Sequence, residues 1–125
     1  MDPETDITVR YYNLAQQAMG KFGMDLSLGS TVGDYLTKAG FINVTQVRRK
    51  VPLGTWPKDK TMRLIGLYTR EIALHSIPSM DKPFANLGLS ETERQVWGAR
   101  MRAALKENHV HRYYHFYFWF GQKPE

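Results

Sequence analysis

The 125 residues contain no cysteine. Disulfides, Cys-based zinc sites and thiol nucleophiles are therefore excluded, which fits an intracellular location, cytoplasm or nucleus. No apolar run reaches the roughly 18 residues of a membrane-spanning helix. The opening Met1-Asp2-Pro3-Glu4-Thr5-Asp6 is acidic, without the basic and apolar regions of a signal peptide, so no membrane is expected as a partner. A glycine-rich phosphate loop is also missing. Gly20-Lys21-Phe22-Gly23 and the Gly29 to Gly33 stretch have the wrong spacing and follow no strand. There is no Gly-x-Ser-x-Gly elbow, and no Ser/His/acid order stands out for nucleophilic catalysis.

What is present is the composition of one small globular domain: 42% hydrophobic and 23% charged residues, enough to bury a real core. The formal charge is +5, with much of the excess in Arg48-Arg49-Lys50, Lys58, Lys60, Arg100 and Arg102. Scattered cations of this kind usually form a solvated surface. Basic residues near rings can also hold phosphate and stack bases, but no nucleic-acid motif accompanies them, and nucleic acid is not the expected partner.

The chain is organised around Tyr113-Tyr114-His115-Phe116-Tyr117-Phe118-Trp119-Phe120, where seven of eight residues are Phe, Tyr or Trp. Aromatic side chains favour extended backbone, and Gly121 and Pro124 end the run. Both faces of such a strand are large and mostly apolar, which belongs inside a sheet covered on two sides. The remaining chain must then supply a layer for each face and a neighbour for each edge.

Helical spacing from about Asp6 to Phe22 places Ile7, Tyr11, Leu14, Ala18 and Phe22 on one stripe, with Asp6 or Thr5 as cap. Thr31-Val32-Gly33-Asp34 has the spacing of a capping box and opens a short helix that buries Val32, Tyr35, Leu36 and Ala39 and stops at Gly40. Phe41 to Val51 reads as a strand. Pro52 to Pro57 is irregular, with Trp56 either a plug over the core or a pocket wall. Met62, Ile65, Tyr68, Ile72 and His75 form a third helical stripe up to Ser76. Pro78 and Pro83 mark a loop from Ile77 to Leu89. Ser90-Glu91-Thr92-Glu93 is a full capping box. It opens a fourth helix with Val96, Trp97, Met101, Ala104 and Leu105 inward, ending at Asn108. The expected α/β inventory is about four helices and two strands, 41–51 and 112–120, whose relative direction is open on length alone. A two-stranded sheet is marginal by itself, and the aromatic strand keeps one long edge unpaired.

Among candidate chemical groups, His109, His111 and His115 would share a face of one extended strand, and Glu107 could add a zinc ligand. The alternative is that the first two lie in a turn and His115 is hydrogen-bonded in the sheet. No metal site is assigned, and no catalytic base is named.

Three phrases of the sequence carry a family resemblance. They are Gly40-Phe41-Ile42-Asn43-Val44 followed by Lys50-Val51-Pro52-Leu53-Gly54-Thr55-Trp56-Pro57-Lys58-Asp59; then Leu64-Ile65-Gly66-Leu67-Tyr68; and the ending His111 to Tyr117 with Gly121-Gln122-Lys123-Pro124. Together, across roughly Ile7 to Glu125, the chain resembles the C-terminal half of LaeA-like methyltransferases. These are fungal class I S-adenosylmethionine-dependent enzymes and regulators of secondary metabolism. The resemblance implies a Rossmann-like fold whose antiparallel last strand inserts between the fifth and sixth. Strands 41–51 and 112–120 would be the sixth and seventh. It further implies one partial domain over 1–125: a helix-helix-strand unit over 6–51, a substrate-side insert with a helix over 52–89, and a helix with the terminal strand over 90–125. The cofactor-binding half has no counterpart here, so S-adenosylmethionine belongs to the complete family domain and no cofactor is expected on this chain alone. Tyr11, Tyr12, Trp56 and Tyr68 are the implied substrate-side residues. The expectation is a methyltransferase portion inactive by itself, partnered by the missing N-terminal half. The alternative is a non-catalytic module pairing the open edge of strand 112–120 with a partner protein or a self-copy.

Overall fold

In the computed structural model, residues 5–125 are described, so the acidic Met1 to Glu4 lies outside the described residues. The chain runs as α1 (Ile7–Gly20), a 3-10 turn (Leu28–Ser30), α2 (Val32–Lys38) and β1 (Ile42–Pro52). These are followed by α3 (Lys60–Ser76), a second 3-10 turn (Pro78–Met80), α4 (Asp81–Asn86), α5 (Glu91–Leu105) and β2 (Tyr113–Gln122). The four expected helices and both strands are present. The strands form one antiparallel pair, with Ile42 opposite Gln122, Val47 opposite Phe118 and Pro52 opposite Tyr113. A register irregularity between Ile42 and Thr45 coincides with Asn43 at a φ of 52°, and the Asn43 amide donates to Gln122 Oε1 at 2.9 Å. Asn tolerates this left-handed conformation better than a bulkier residue would.

Local chemistry sets most of the helix boundaries. Asp6 caps α1 by accepting the Thr8 amide, and Asp59 caps α3 by accepting the Met62 amide. The capping box of α5 is complete: Ser90 Oγ accepts the Glu93 N–H and Glu93 accepts the Ser90 N–H. The expected box at α2 does not form, since Thr31 makes no side-chain cap bond; its hydroxyl turns back to the Leu28 carbonyl in the preceding 3-10 turn. The loop expected over 77–89 is instead a 3-10 turn running into α4. Pro78 and Pro83 both sit in first turns, where the missing N–H has no helical partner to lose.

The hydrophobic core lies among helices, away from the sheet. Tyr11, Ala15 and Ala18 of α1 meet Phe84 of α4 and Met101 and Leu105 of α5, with Ile77 from the turn between α3 and α4. Leu105 and Phe84 are each 2% exposed, and each such side chain contributes about 2 kcal/mol through removal from water. The edge-on Tyr11–Phe84 pair, with centroids 5.3 Å apart, ties α1 to α4.

The sheet is covered unevenly. Trp119 lies against α2, where Gly33 leaves room for its ring and the Gly29 carbonyl accepts its Nε1–H at 2.7 Å. At the other end α3 docks on the carboxyl end of β1. Gly66 touches the Gly54 carbonyl, and the Thr69 hydroxyl donates to the Pro52 carbonyl at 2.6 Å. Between these, Phe116, Phe118 and Phe120 stay open, the last two more than half exposed. The two-sided burial expected of this strand is therefore not met within the described residues.

Two helices bury a different side from the one expected. On α2 the buried residue is Gly33, and Tyr35 points to solvent, because the flat Trp119 ring needs a surface without a side chain. On α3 the buried residues are Gly66 and Thr69, whereas Ile65, Tyr68 and Ile72 face outward. Close approach to the Gly54 backbone selects the small side of the helix over the large one.

Candidate functional site

The carboxyl end of β1 carries a loop held by several side-chain contacts. From Pro52 the chain turns through Gly54, at a φ of 123°, to Trp56. The Trp56 ring stacks on His111 at 4.6 Å with planes 8° apart, and its Nε1–H donates to the Arg112 carbonyl at 2.8 Å. Arg63, one turn into α3, reaches back to the carbonyls of Pro57 and Lys58, both at 3.0 Å. Lys50, Pro52, Trp56, Pro57, Lys58, Asp59 and Met62 line a cleft of about 300 Å³. Lys50 Nζ lies 3.8 Å over the Tyr113 ring, a favourable cation–π placement. Trp56 is therefore both a plug anchored to the backbone and a pocket wall.

The other three predicted residues lie elsewhere. Tyr11 is buried in the helical core and lines a cavity of about 140 Å³ with Ile77, Phe84, Arg94 and Arg102. Burial pushes its phenol above the ordinary 10.0, and the nearby Arg102 charge opposes the rise. Tyr12 is half-exposed beside a groove of about 400 Å³ whose other walls include Ser27, Ser30, His115 and Tyr117. Burial, and then the Asp25 charge, raise its pKa. Tyr68 is 60% exposed on the outer side of α3 and lines none of these spaces. The four residues do not form one constellation in this chain.

The histidines also separate. His111 stacks on Trp56, while His115 sits edge-on between Tyr113 and Tyr117. The expected hydrogen bond to His115 is not found: its buried Nδ1 has no partner among the described residues. Within those residues no group of three or more His, Asp or Glu side chains converges on a metal-sized space.

Sequence reasoning missed the strongest polar cluster. Arg112, 5% exposed, precedes β2 and ties together three elements. Its Nη2 meets Asp6 Oδ2 at 2.9 Å and Glu107 Oε2 at 3.2 Å, and its Nη1 donates to the Ala104 carbonyl at 2.6 Å. Burial alone would raise the Asp6 pKa. Hydrogen bonds from Arg112 and Thr8, with the guanidinium charge, outweigh this and hold it below the ordinary 3.8. The available signal was a lone Arg at the mouth of an aromatic strand, with an acidic cap far upstream, which spacing alone does not join.

The N-termini of α1, α3 and α5 are all closed by their own side chains, two of them carboxylates. Among the described residues, the turn that leads from β1 into α3 carries one glycine, Gly54, and ends on the Asp59 cap. No helix of the described residues is long and apolar enough to cross a membrane.

Comparison with known proteins places the chain beside fungal methyltransferases. It is 26% identical over 109 residues to methyltransferase pytC of Aspergillus terreus, covering 86% of this chain and 34% of that protein. It is 30% identical over 69 residues to methyltransferase cpsF of Aspergillus campestris, covering 55% of this chain and 24% of that one. The chain thus spans about a third of the length of the curated relatives it matches. No family model matches it, and no solved structure does.

Proposed function

We propose that this chain is the C-terminal, substrate-side portion of an S-adenosylmethionine-dependent methyltransferase with class I, Rossmann-like architecture, inactive without a cofactor-binding portion. The observation that carries the reading is the sheet. Among the described residues, a ten-residue aromatic strand has one neighbour and an open Phe116–Phe118–Phe120 face, in a chain similar to methyltransferases about three times its matched length. In an open α/β sheet, ligands bind beyond the carboxyl ends of the parallel strands. The Trp56 loop stands at that end of β1 and would form part of the acceptor's surroundings. Calorimetric titration of the isolated chain with S-adenosylmethionine is expected to give no heat of binding. Micromolar binding would overturn the reading.

A second reading, a non-catalytic module that pairs its sheet edge with a partner protein or a second copy, is favoured by a difference between the two strands. β1 carries Arg48, Arg49 and Lys50, an irregular register at Asn43 and a terminal Pro52, all of which discourage strand addition. β2 has no Lys, Arg, Asp, Glu or Pro between Tyr113 and Gln122, which leaves its edge competent for it. Sedimentation velocity over a hundredfold concentration range tests self-pairing. A dimer lost in Tyr117→Lys supports it, and a monomer throughout removes it.

A further inference from the structure

We infer that the cleft at the end of β1 binds a planar aromatic anion. As the seat of a methyl acceptor it rests on the reading above; as a binding site it stands on its own geometry. The floor and walls are apolar: Pro52, Pro57, Met62 and the Trp56 indole. The indole is fixed in orientation by the His111 stack on one face and by its bond to the Arg112 carbonyl. A rigid ring of this kind offers a stacking surface that loses little freedom on binding. The volume, about 300 Å³, suits one or two fused rings.

Charge then selects among ring compounds. Lys50 and Lys58 both line the cleft; the Lys50 ammonium rests over the Tyr113 ring, and among the described residues neither lysine has a carboxylate partner. Asp59, the one acid in the lining, has its Oδ2 accepting the Met62 amide at the start of α3. Arg48 and Arg49 precede Lys50 on β1 and add to the positive field. An aryl carboxylate or phenolate would place its ring against Trp56 and Met62 and its charge between the two ammonium groups. A neutral aromatic of equal shape would gain the first contact without the second.

The probes are 2-naphthoate and its neutral isostere 2-naphthamide, titrated into the full chain and followed by the Trp56 indole N–H signal in a proton–nitrogen NMR spectrum, assigned with Trp56→Phe. The naphthoate is expected to shift that signal saturably and to bind about tenfold tighter than the amide, a difference of about 1.4 kcal/mol. Lys50→Met with Lys58→Met, both exposed positions, should bring the two probes within about twofold of each other while the rest of the spectrum stays folded. Three results would each overturn the proposal: no saturable shift, equal binding of acid and amide to the natural chain, or a preference that survives the double substitution. None of them bears on the S-adenosylmethionine titration, so the two readings fail separately.

Discussion

Arg112 joins the first helix to the last strand through a single guanidinium. Removing one partner of a buried, hydrogen-bonded ion pair costs about 3–5 kcal/mol, because the other charge is left without compensation. Arg112→Ala strands Asp6 and leaves the Ala104 carbonyl without its side-chain donor. It is expected to lower stability by about 3 kcal/mol in urea unfolding, whereas Lys106→Ala, an exposed neighbour, should change it by less than about 0.5 kcal/mol. The same pair sets an acid dependence. The native Asp6 carboxyl ionises below 3.8, so its contribution is complete above that ordinary value and is lost as pH falls through the lower native one. Stability measured from pH 5 downward should therefore fall less steeply in Asp6→Asn than in the natural chain. Equal slopes would mean that the ion pair does not form.

Two glycines make a prediction of the same residue-level kind. A Cβ on Gly66 would sit on the Gly54 carbonyl oxygen, which is backbone and cannot rotate away. Gly66→Ala gains helix propensity of under about 1 kcal/mol and loses the α3–loop contact. A net loss of about 2 kcal/mol is expected in thermal or urea unfolding, close to typical overpacking costs. At Gly33 the obstacle is the Trp119 ring, a side chain. Gly33→Ala should therefore be rescued in part by Trp119→Phe, whereas no single side-chain change rescues Gly66→Ala.

Elements were legible where one residue type decides them. Ser90 and Glu93 announce the start of α5, Asp6 that of α1, and Gly40 the stop before β1, because each supplies a local bond or conformation that needs no tertiary partner. The facing of α2 and α3 was not legible. Their apolar periodicity is real, but the packed side is chosen by Gly33 and Gly66, and only the position of Trp119 and of the Gly54 backbone shows why small residues are wanted there. Proline also misled: Pro78 and Pro83 lie in first helical turns, so Phe84 reaches the core from a segment that reads as loop. The outward stripe of α3 leads to an element-level prediction. Tyr68→Gln and Ile72→Gln, 60% and 69% exposed, should each alter unfolding free energy by under about 0.5 kcal/mol, although spacing alone marks them as core. A loss above about 2 kcal/mol from either of them would mean that α3 packs the other way round.

At the scale of the whole molecule, the helical cluster around Tyr11, Phe84 and Leu105 is buried, whereas the sheet leaves Phe116, Phe118 and Phe120 exposed. The candidate site divides along the same line. Trp56 is legible as a ring in a Pro/Gly loop, and that loop is held by the Trp56 and Arg63 hydrogen bonds. Tyr11, Tyr12 and Tyr68 carried only their residue type, and the fold sends them to three different places. Two strands bury too little for a stable sheet on their own; additional strands would pair the open edge of β2, and the helices that accompany them would cover its open aromatic face. The most direct measurement is cofactor binding by a chimera in which this chain replaces the matched third of methyltransferase pytC, alongside this chain alone. The folded chimera is expected to bind S-adenosylmethionine, with the β2 amides slowed in hydrogen exchange, and the chain alone is expected to bind none. Binding by the chain alone, or a folded chimera whose β2 amides exchange as fast as before, would contradict that expectation.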